Sequence, residues 1–272
     1  MREAGFFFPG EWIAPVIGSR GDPKDEPTFF GTATLIGGRF FLSARHVMEA
    51  ARSADVVWLV TVEPDANQLH FWTVEVTEGH PNSDWDIVVG RLHLDPGIAE
   101  PFAGIAYAPP LTDVVCVGYP GEAVKKVEGG DFAALNNPRY LKGYVTRRLE
   151  PGEDFARGPA WELSFPVLGG MSGSPVWSLI GKPVAGQPET IERVLVGIAT
   201  HSAESRVQRF EDVMRDAAGR EIVERRLRVV EVGVAVRLSA IVNWPLQVAE
   251  GAELGSLVGQ PPNAGTPPPQ IV

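Results

Sequence analysis

One cysteine, Cys116, stands in 272 residues. It excludes an intramolecular disulfide, and its apolar setting, Val114-Val115-Cys116-Val117, reads as a small buried hydrophobe rather than a reactive thiol. Secreted proteins often lean on disulfides, so their lack points to a reducing compartment, and a cytoplasmic location is the expectation. Long apolar runs are missing too. The chain opens Met1-Arg2-Glu3-Ala4-Gly5-Phe6 and reaches Pro9 and Glu11 almost at once, so neither a signal peptide nor a membrane partner is expected. Positive charge is scarce: the formal net charge is −10, which argues against a nucleic-acid partner. The local cluster Arg220, Arg225, Arg226 and Arg228 reads as a solvated face. His70, His80 and His93 lie scattered without H-E-x-x-H spacing, and no phosphate-cradling glycine loop of the P-loop type occurs, so no metal and no cofactor is expected.

Glycine and proline, by contrast, are plentiful at 30 and 24 residues, which suits many turns between short strands. Thr32–Ile36, the turn Gly37-Gly38 and Phe40–Leu42 form a hairpin signature. Further strand candidates are Val56–Val60, Phe71–Val76, Ile87–Leu92, Val114–Val117, Val194–Thr200 and Val229–Val236. Short strands without alternating helices predict a barrel or a sandwich. Two segments read as helical. Over 203–218, Val207, Phe210, Val213 and Met214 share one helical face, and Leu238–Val248 predicts a short helix broken near Pro245. The tail holds Pro261, Pro262, Pro267, Pro268 and Pro269 and reads as extended or disordered. No internal repeat is evident.

Three segments carry chemistry. Leu168-Gly169-Gly170-Met171-Ser172-Gly173-Ser174-Pro175 sets a serine among small residues, which permits a tight turn and close approach of a substrate carbonyl. The N–H groups of Gly170 and Ser172 are then candidates for an oxyanion hole. Ser43-Ala44-Arg45-His46 follows the strand Phe40–Leu42, a rigid place from which to hold an imidazole base. Ser83-Asp84-Trp85-Asp86-Ile87 sets a carboxylate directly before an apolar strand, where it can orient that base; Asp86 is the first choice and Asp84 the rival. The chain order His, Asp, Ser differs from that of subtilisin-type enzymes and of α/β-hydrolases, and Ser174 stands where the G-x-S-x-G elbow needs its last glycine.

On these residues the chain resembles a trypsin-like serine peptidase of the bacterial, disulfide-free type, similar to the HtrA and glutamyl-endopeptidase branches. The resemblance rests on Gly31-Thr32-Ala33, Ser43–His46, Asp86–Val89, Gly118-Tyr119-Pro120, Gly170–Pro175 and Val196-Gly197-Ile198. It implies an all-β fold of two antiparallel six-stranded β-barrels, chymotrypsin-like, with the triad His46, Asp86 and Ser172 in the cleft between them. On this reading residues 1–28 are an N-terminal segment and 29–250 the peptidase domain, with the barrel boundary near 105–115 and a helical insertion near 203–228. A C-terminal helix ends the domain, and 251–272 form a Pro-rich tail. Leu168, Thr200, His201 and Ser202 are expected to touch substrate. The insertion, lying just past Thr200-His201-Ser202, is expected at the cleft or as a surface elaboration. There are departures. Gly170-Met171-Ser172 replaces the family's Gly-Asp-Ser, so no activation by N-terminal cleavage is expected, and Arg45 replaces an alanine. Pro166 corresponds to the aspartate of Arg/Lys-specific members, which removes that preference; Phe165, Val167 and Leu168 suggest an apolar pocket for a small or medium side chain. The expected activity is serine endopeptidase, acting on a protein or peptide substrate through an acyl-enzyme and open to control by a regulatory protein partner. The alternatives are an idle peptidase-fold binding module and an acyl-ester hydrolase.

Overall fold

A computed structural model describes residues 12–20, 27–63, 68–97, 101–121, 124–126, 132–134, 138–153, 155–182, 190–215 and 221–259. The prolines of the tail and most of the N-terminal segment lie outside these residues, as do the side chains of the arginine cluster.

The first barrel takes β1 (Ile13–Ser19), β2 (Thr28–Gly37), β3 (Phe40–Ser43), β4 (Val56–Glu63), β5 (Gln68–Gly79) and β6 (Val88–Leu92), with the short helix α1 (Arg45–Ala51) between β3 and β4. It closes in the order β1-β2-β3-β6-β5-β4. After β7 (Asp113–Gly118) comes a small hairpin, β8 (Val124–Lys126) and β9 (Phe132–Ala134). The chain continues into β10 (Arg139–Leu149), β11 (Ala160–Leu163), β12 (Pro175–Lys182), β13 (Thr190–Arg215) and β14 (Glu221–Arg237). These close with β7 as β10-β11-β14-β13-β12-β7. Counted from its own first strand, the second barrel has the same cyclic order as the first, a repeat that no sequence similarity announces. Closure leaves neither barrel with an open sheet edge along its whole length.

Each barrel fills its interior with alternate residues of its strands. In β2, Ala33 and Leu35 enter the first core, while Thr32 and Thr34, equally buried, face the second barrel. The first core runs on into the interface through Val117, Tyr119, Leu195 and Ile198. The second core is built on Val114, Cys116, Trp161, Leu163, Val176 and Val196. Cys116 is fully buried, and burial pushes its thiol up to about 12, more than contact with Ser174 brings it down.

Two expectations need correction. The segment expected as a helical insertion near 203–228 is, in its described residues, a β-ribbon: β13 and β14 stay paired from Gly197↔Arg237 out to Arg215↔Glu221, with register shifts after Ala199 and Gln208. The helical spacing of Val207, Phe210 and Val213 is a property of one strand alone. It yields to the ladder offered by a partner rich in β-branched residues from Ile222 to Val236. The expected C-terminal helix is reduced to 3-10 turns at Leu238–Ala240 and Gln247–Ala249 and one α-turn, α2 (Leu254–Leu257). Pro245 cannot continue a helix and instead pairs with Glu253 in a two-residue strand. This C-terminal stretch straps the first barrel: Val248 donates its N–H to Glu78 (2.9 Å) and accepts from Arg91 (3.1 Å).

Candidate active site

β3 and β6 are neighbours, with Leu42 opposite Val89 and Ser43 opposite Val88. His46 lies three residues past the end of one strand and Asp86 two residues before the other, so the pairing brings them together. His46 Nδ1 lies 2.7 Å from Asp86 Oδ2, and the His46 backbone N–H donates to Asp86 Oδ1 at 3.0 Å. With Nδ1 turned to the carboxylate, Nε2 is the nitrogen left facing the cleft. Burial pushes the Asp86 carboxyl up, but the hydrogen bond and charge of the His46 ring and the backbone N–H outweigh it, and the group sits below its ordinary value. Asp84, the rival, makes no such contact; its N–H donates to Asn82 Oδ1 in the preceding turn.

The loop that delivers Asp86 is clamped by groups from three directions. Arg45 Nη2 donates to the His80 carbonyl at 2.5 Å and reaches the Asn82 carbonyl at 3.5 Å. The His80 ring stacks on Trp85 at 4.1 Å between centroids and meets Trp244 edge-on at 5.0 Å. Trp85 in turn packs against Gly158, where an added Cβ would lie 2.8 Å from its ring. Arg45, directly before His46, thus ties both halves of the His–Asp pair to one support. Among the described residues no three His, Cys, Asp or Glu side chains gather as a metal site.

Ser172 comes from the second barrel, and its loop is sewn to the first. Thr32 donates its N–H to the Ser172 carbonyl (2.9 Å) and its hydroxyl to the Gly170 carbonyl (2.9 Å). Thr34 Oγ1 donates to the Gly173 carbonyl, also at 2.9 Å. From its own barrel the loop receives the Ala199 carbonyl, which accepts from Gly173 N–H (2.8 Å), and Gly121 N–H, which donates to the Gly169 carbonyl (2.8 Å). Gly170 and Gly173 hold φ of +90° and +93°, a region where side chains are strained. Met171, in place of the family's aspartate, buries its side chain in the second core, so the loop is anchored by packing rather than by a charge pair. Among the described residues nothing accepts from the N–H of Gly170 or of Ser172. The Ser172 hydroxyl donates to the Thr200 carbonyl at 2.6 Å, and no hydrogen bond joins it to His46.

The other residues expected at the site are all close by. Thr200 is buried, its hydroxyl bonded to the Val234 carbonyl (3.1 Å) and 3.0 Å from His201 Nδ1. Leu168 stands exposed at the loop's start and accepts from Met171 N–H at 2.9 Å. His46, Asp86 and His201 border a cavity of about 490 Å³ that also takes in Asp84, Phe155, Arg157 and Val234. Phe165 and Val167 are 7% and 6% exposed and belong to the second core, because alternate residues of this stretch turn inward.

The two histidines by the cleft fix a pH response. His201 keeps one face open to the cavity, yet the protein around its ring holds it below 6.5, more than the Asp86 charge raises it. Burial likewise holds His80 below 6.5, against the hydrogen bond from Asn82 N–H. Unfolding lets both take up protons at ordinary values, so the unfolded state binds more protons below pH 6.5 and stability falls with falling pH there. Asp86, lowered from 3.8, adds a second loss only near and below pH 4. Urea midpoints should therefore drop between pH 7.5 and pH 5, and His80→Gln should flatten that slope. An unchanged midpoint for the wild type would contradict it.

Sequence reasoning missed Thr32, Thr34 and the clamping role of Arg45, because their partners are 138, 139 and 35 positions away. The cavity residues Phe155 and Arg157 carried no signal at all.

No curated protein sequence matches the chain. Among solved structures, the HtrA-type protease AlgW with decapeptide aligns at 13% identity and TM-score 0.49, over 90% of this chain and 66% of its own. The MamO protease domain from Magnetospirillum magneticum (apo form) aligns at 13% identity and TM-score 0.48, over 87% of this chain and 97% of its own. The chain thus spans just under two thirds of the length of the first of these. The model of the trypsin-like peptidase domain matches residues 31–185, more than half of the chain and inclusive of His46, Asp86 and Ser172. The chain belongs to the trypsin-like peptidase family.

Proposed function

We propose that the chain is a serine endopeptidase acting through an acyl-enzyme. The observation that carries this reading is the hydrogen-bonded His46–Asp86 pair of one barrel bordering the same cavity as Thr200 of the other, whose carbonyl holds the Ser172 hydroxyl, with two N–H groups without acceptors in the Ser172 loop. In the reaction, Ser172 Oγ attacks the scissile carbonyl carbon while its proton passes to His46 Nε2. The carbonyl oxygen takes the electron pair and rests on the N–H groups of Gly170 and Ser172. Asp86 holds Nδ1–H and balances the imidazolium. His46 then gives the proton to the leaving amine, and water repeats the sequence on the ester. Before attack the Ser172 hydroxyl must leave the Thr200 carbonyl, a rotation between staggered positions about χ1.

That same Ser172–Thr200 bond favours a second reading, an idle site that waits for a regulatory partner. A cytoplasmic setting, inferred from the single cysteine, would suit such restraint. A fluorophosphonate probe with peptide mapping decides between them. Labelling of the isolated wild type at Ser172, lost on Ser172→Ala, supports the active enzyme. A folded wild type left unlabelled supports the idle one.

A further inference from the structure

The loop before the nucleophile and the strand beside it are stapled together. Ser202 Oγ accepts from Val167 N–H at 2.7 Å and donates to the Val167 carbonyl at 2.9 Å. One hydroxyl thus closes both main-chain groups of one residue, and its hydrogen is used in doing so.

The place matters, and here the inference rests on Ser172 as the nucleophile. β12 pairs with β13 only as far as Ile198, so from Thr200 onward β13 turns a free edge toward the nucleophile loop. An acyl group on Ser172 Oγ, which now rests on the Thr200 carbonyl of that edge, would lie between the edge and residues 166–170 if its oxygen took the N–H groups of Gly170 and Ser172. Its side chain has to enter the gap between those two walls. In this structure the Val167–Ser202 staple spans the gap. The wall behind it is tight as well: a Cβ on Gly233, which pairs with Ser202, would lie 2.5 Å from the Phe165 carbonyl and 3.1 Å from Val167 Cγ2. The cavity of about 490 Å³ lies to the other side, lined by His46 and His201 and by neither Val167 nor Ser202.

We propose that Ser202 is a specificity-determining residue: its staple to Val167 closes the acyl side-chain pocket, so the peptidase takes glycine or alanine at the residue whose carbonyl it attacks. Selection among such substrates then falls to the residues before it, which can reach the cavity next to His201.

The test uses four tetrapeptide acids that differ only in their last residue, glycine, alanine, leucine or phenylalanine, titrated calorimetrically into Ser172→Ala protein. This readout needs no turnover. The glycine and alanine peptides should bind about tenfold or more tighter than the leucine and phenylalanine peptides, as expected where each extra methylene must displace packed groups. Ser202→Gly in the same background should erase most of that ratio, while Ser202→Thr, which keeps a hydroxyl, should preserve it. Equal or tighter binding of the larger residues, a ratio that survives Ser202→Gly, or no binding of any of the four would overturn the proposal. The two readings fail separately. Discrimination without fluorophosphonate labelling removes the catalysis and leaves the closed pocket, and labelling without discrimination does the reverse.

Discussion

Alanine at position 172 should lower hydrolysis of a glycine- or alanine-terminated peptide thioester by roughly 10⁶ in kcat, and Asp86→Asn by roughly 10⁴. The two losses have different causes. Without Ser172 there is no atom to form the acyl bond, and the oxyanion donors alone retain only a residual rate. Asparagine at 86 keeps the shape but offers one acceptor where the carboxylate offers two, and Asp86 now serves both the ring and the backbone N–H of His46. Its amide favours the tautomer with the proton on Nε2, so the nitrogen that faces the cleft already carries a proton and cannot take that of Ser172. The Ser172–Thr200 bond does not alter the ranking: a single hydrogen bond is worth about 1 kcal/mol net, roughly a factor of ten at most, against four to six orders of magnitude. Steady-state kinetics on purified variants, with circular dichroism to check folding, measures both. Losses under about tenfold for either variant would remove that residue from the assigned role.

Gly173→Ala should cost about 3 kcal/mol or more of stability and lower the melting temperature by about 6–12 °C, along with loss of activity. A Cβ at this position would lie 1.8 Å from the Thr32 carbonyl oxygen and 2.5 Å from Ser43 Oγ, and its φ is +93°. The backbone strain alone accounts for about 1 kcal/mol. The rest follows from the neighbours: Thr32 and Ser43 are buried, and Ser43 Oγ is already bonded to the Thr32 carbonyl at 2.8 Å. Neither can retreat without breaking the bonds that join the barrels. Gly97→Ala is the control, since φ is +68° there but nothing lies within 4 Å of the added carbon. Differential scanning calorimetry should find the two variants several degrees apart. Equal shifts would mean that the contact with Thr32 is loose.

The strands that sequence reasoning found are those whose apolar residues run together or alternate without interruption, such as Ile87–Leu92 and Val114–Val117. Several of those it missed carry breakers or polar residues. β1 contains Pro15 and Gly18, β12 begins with Pro175, and β10 is mostly polar with Gly143 in its middle. The structure accommodates each. Pro15 lies outside the pairing of β1 with β4, which starts at Val16, and Pro175 occupies a strand's first position. At the candidate site, His46, Asp86 and Ser172 could be proposed from the sequence because their own neighbours carry the signal. The residues that hold them were not, since a threonine in a strand says nothing of a carbonyl more than a hundred positions on. The burial of Phe165 and Val167 was hidden for a related reason. Phe165, Val167 and Leu168 are equally apolar on paper, and only the fold decides which of them turn inward.

Two barrels of one strand order hold the proposed working parts between them: His46 and Asp86 on one, Ser172 on the other. A chain that doubled such a module would gain no new fold. What it would gain is a seam, and here the seam is the invention. Thr32, which grips the Ser172 loop from across it, is one of the residues that close that seam.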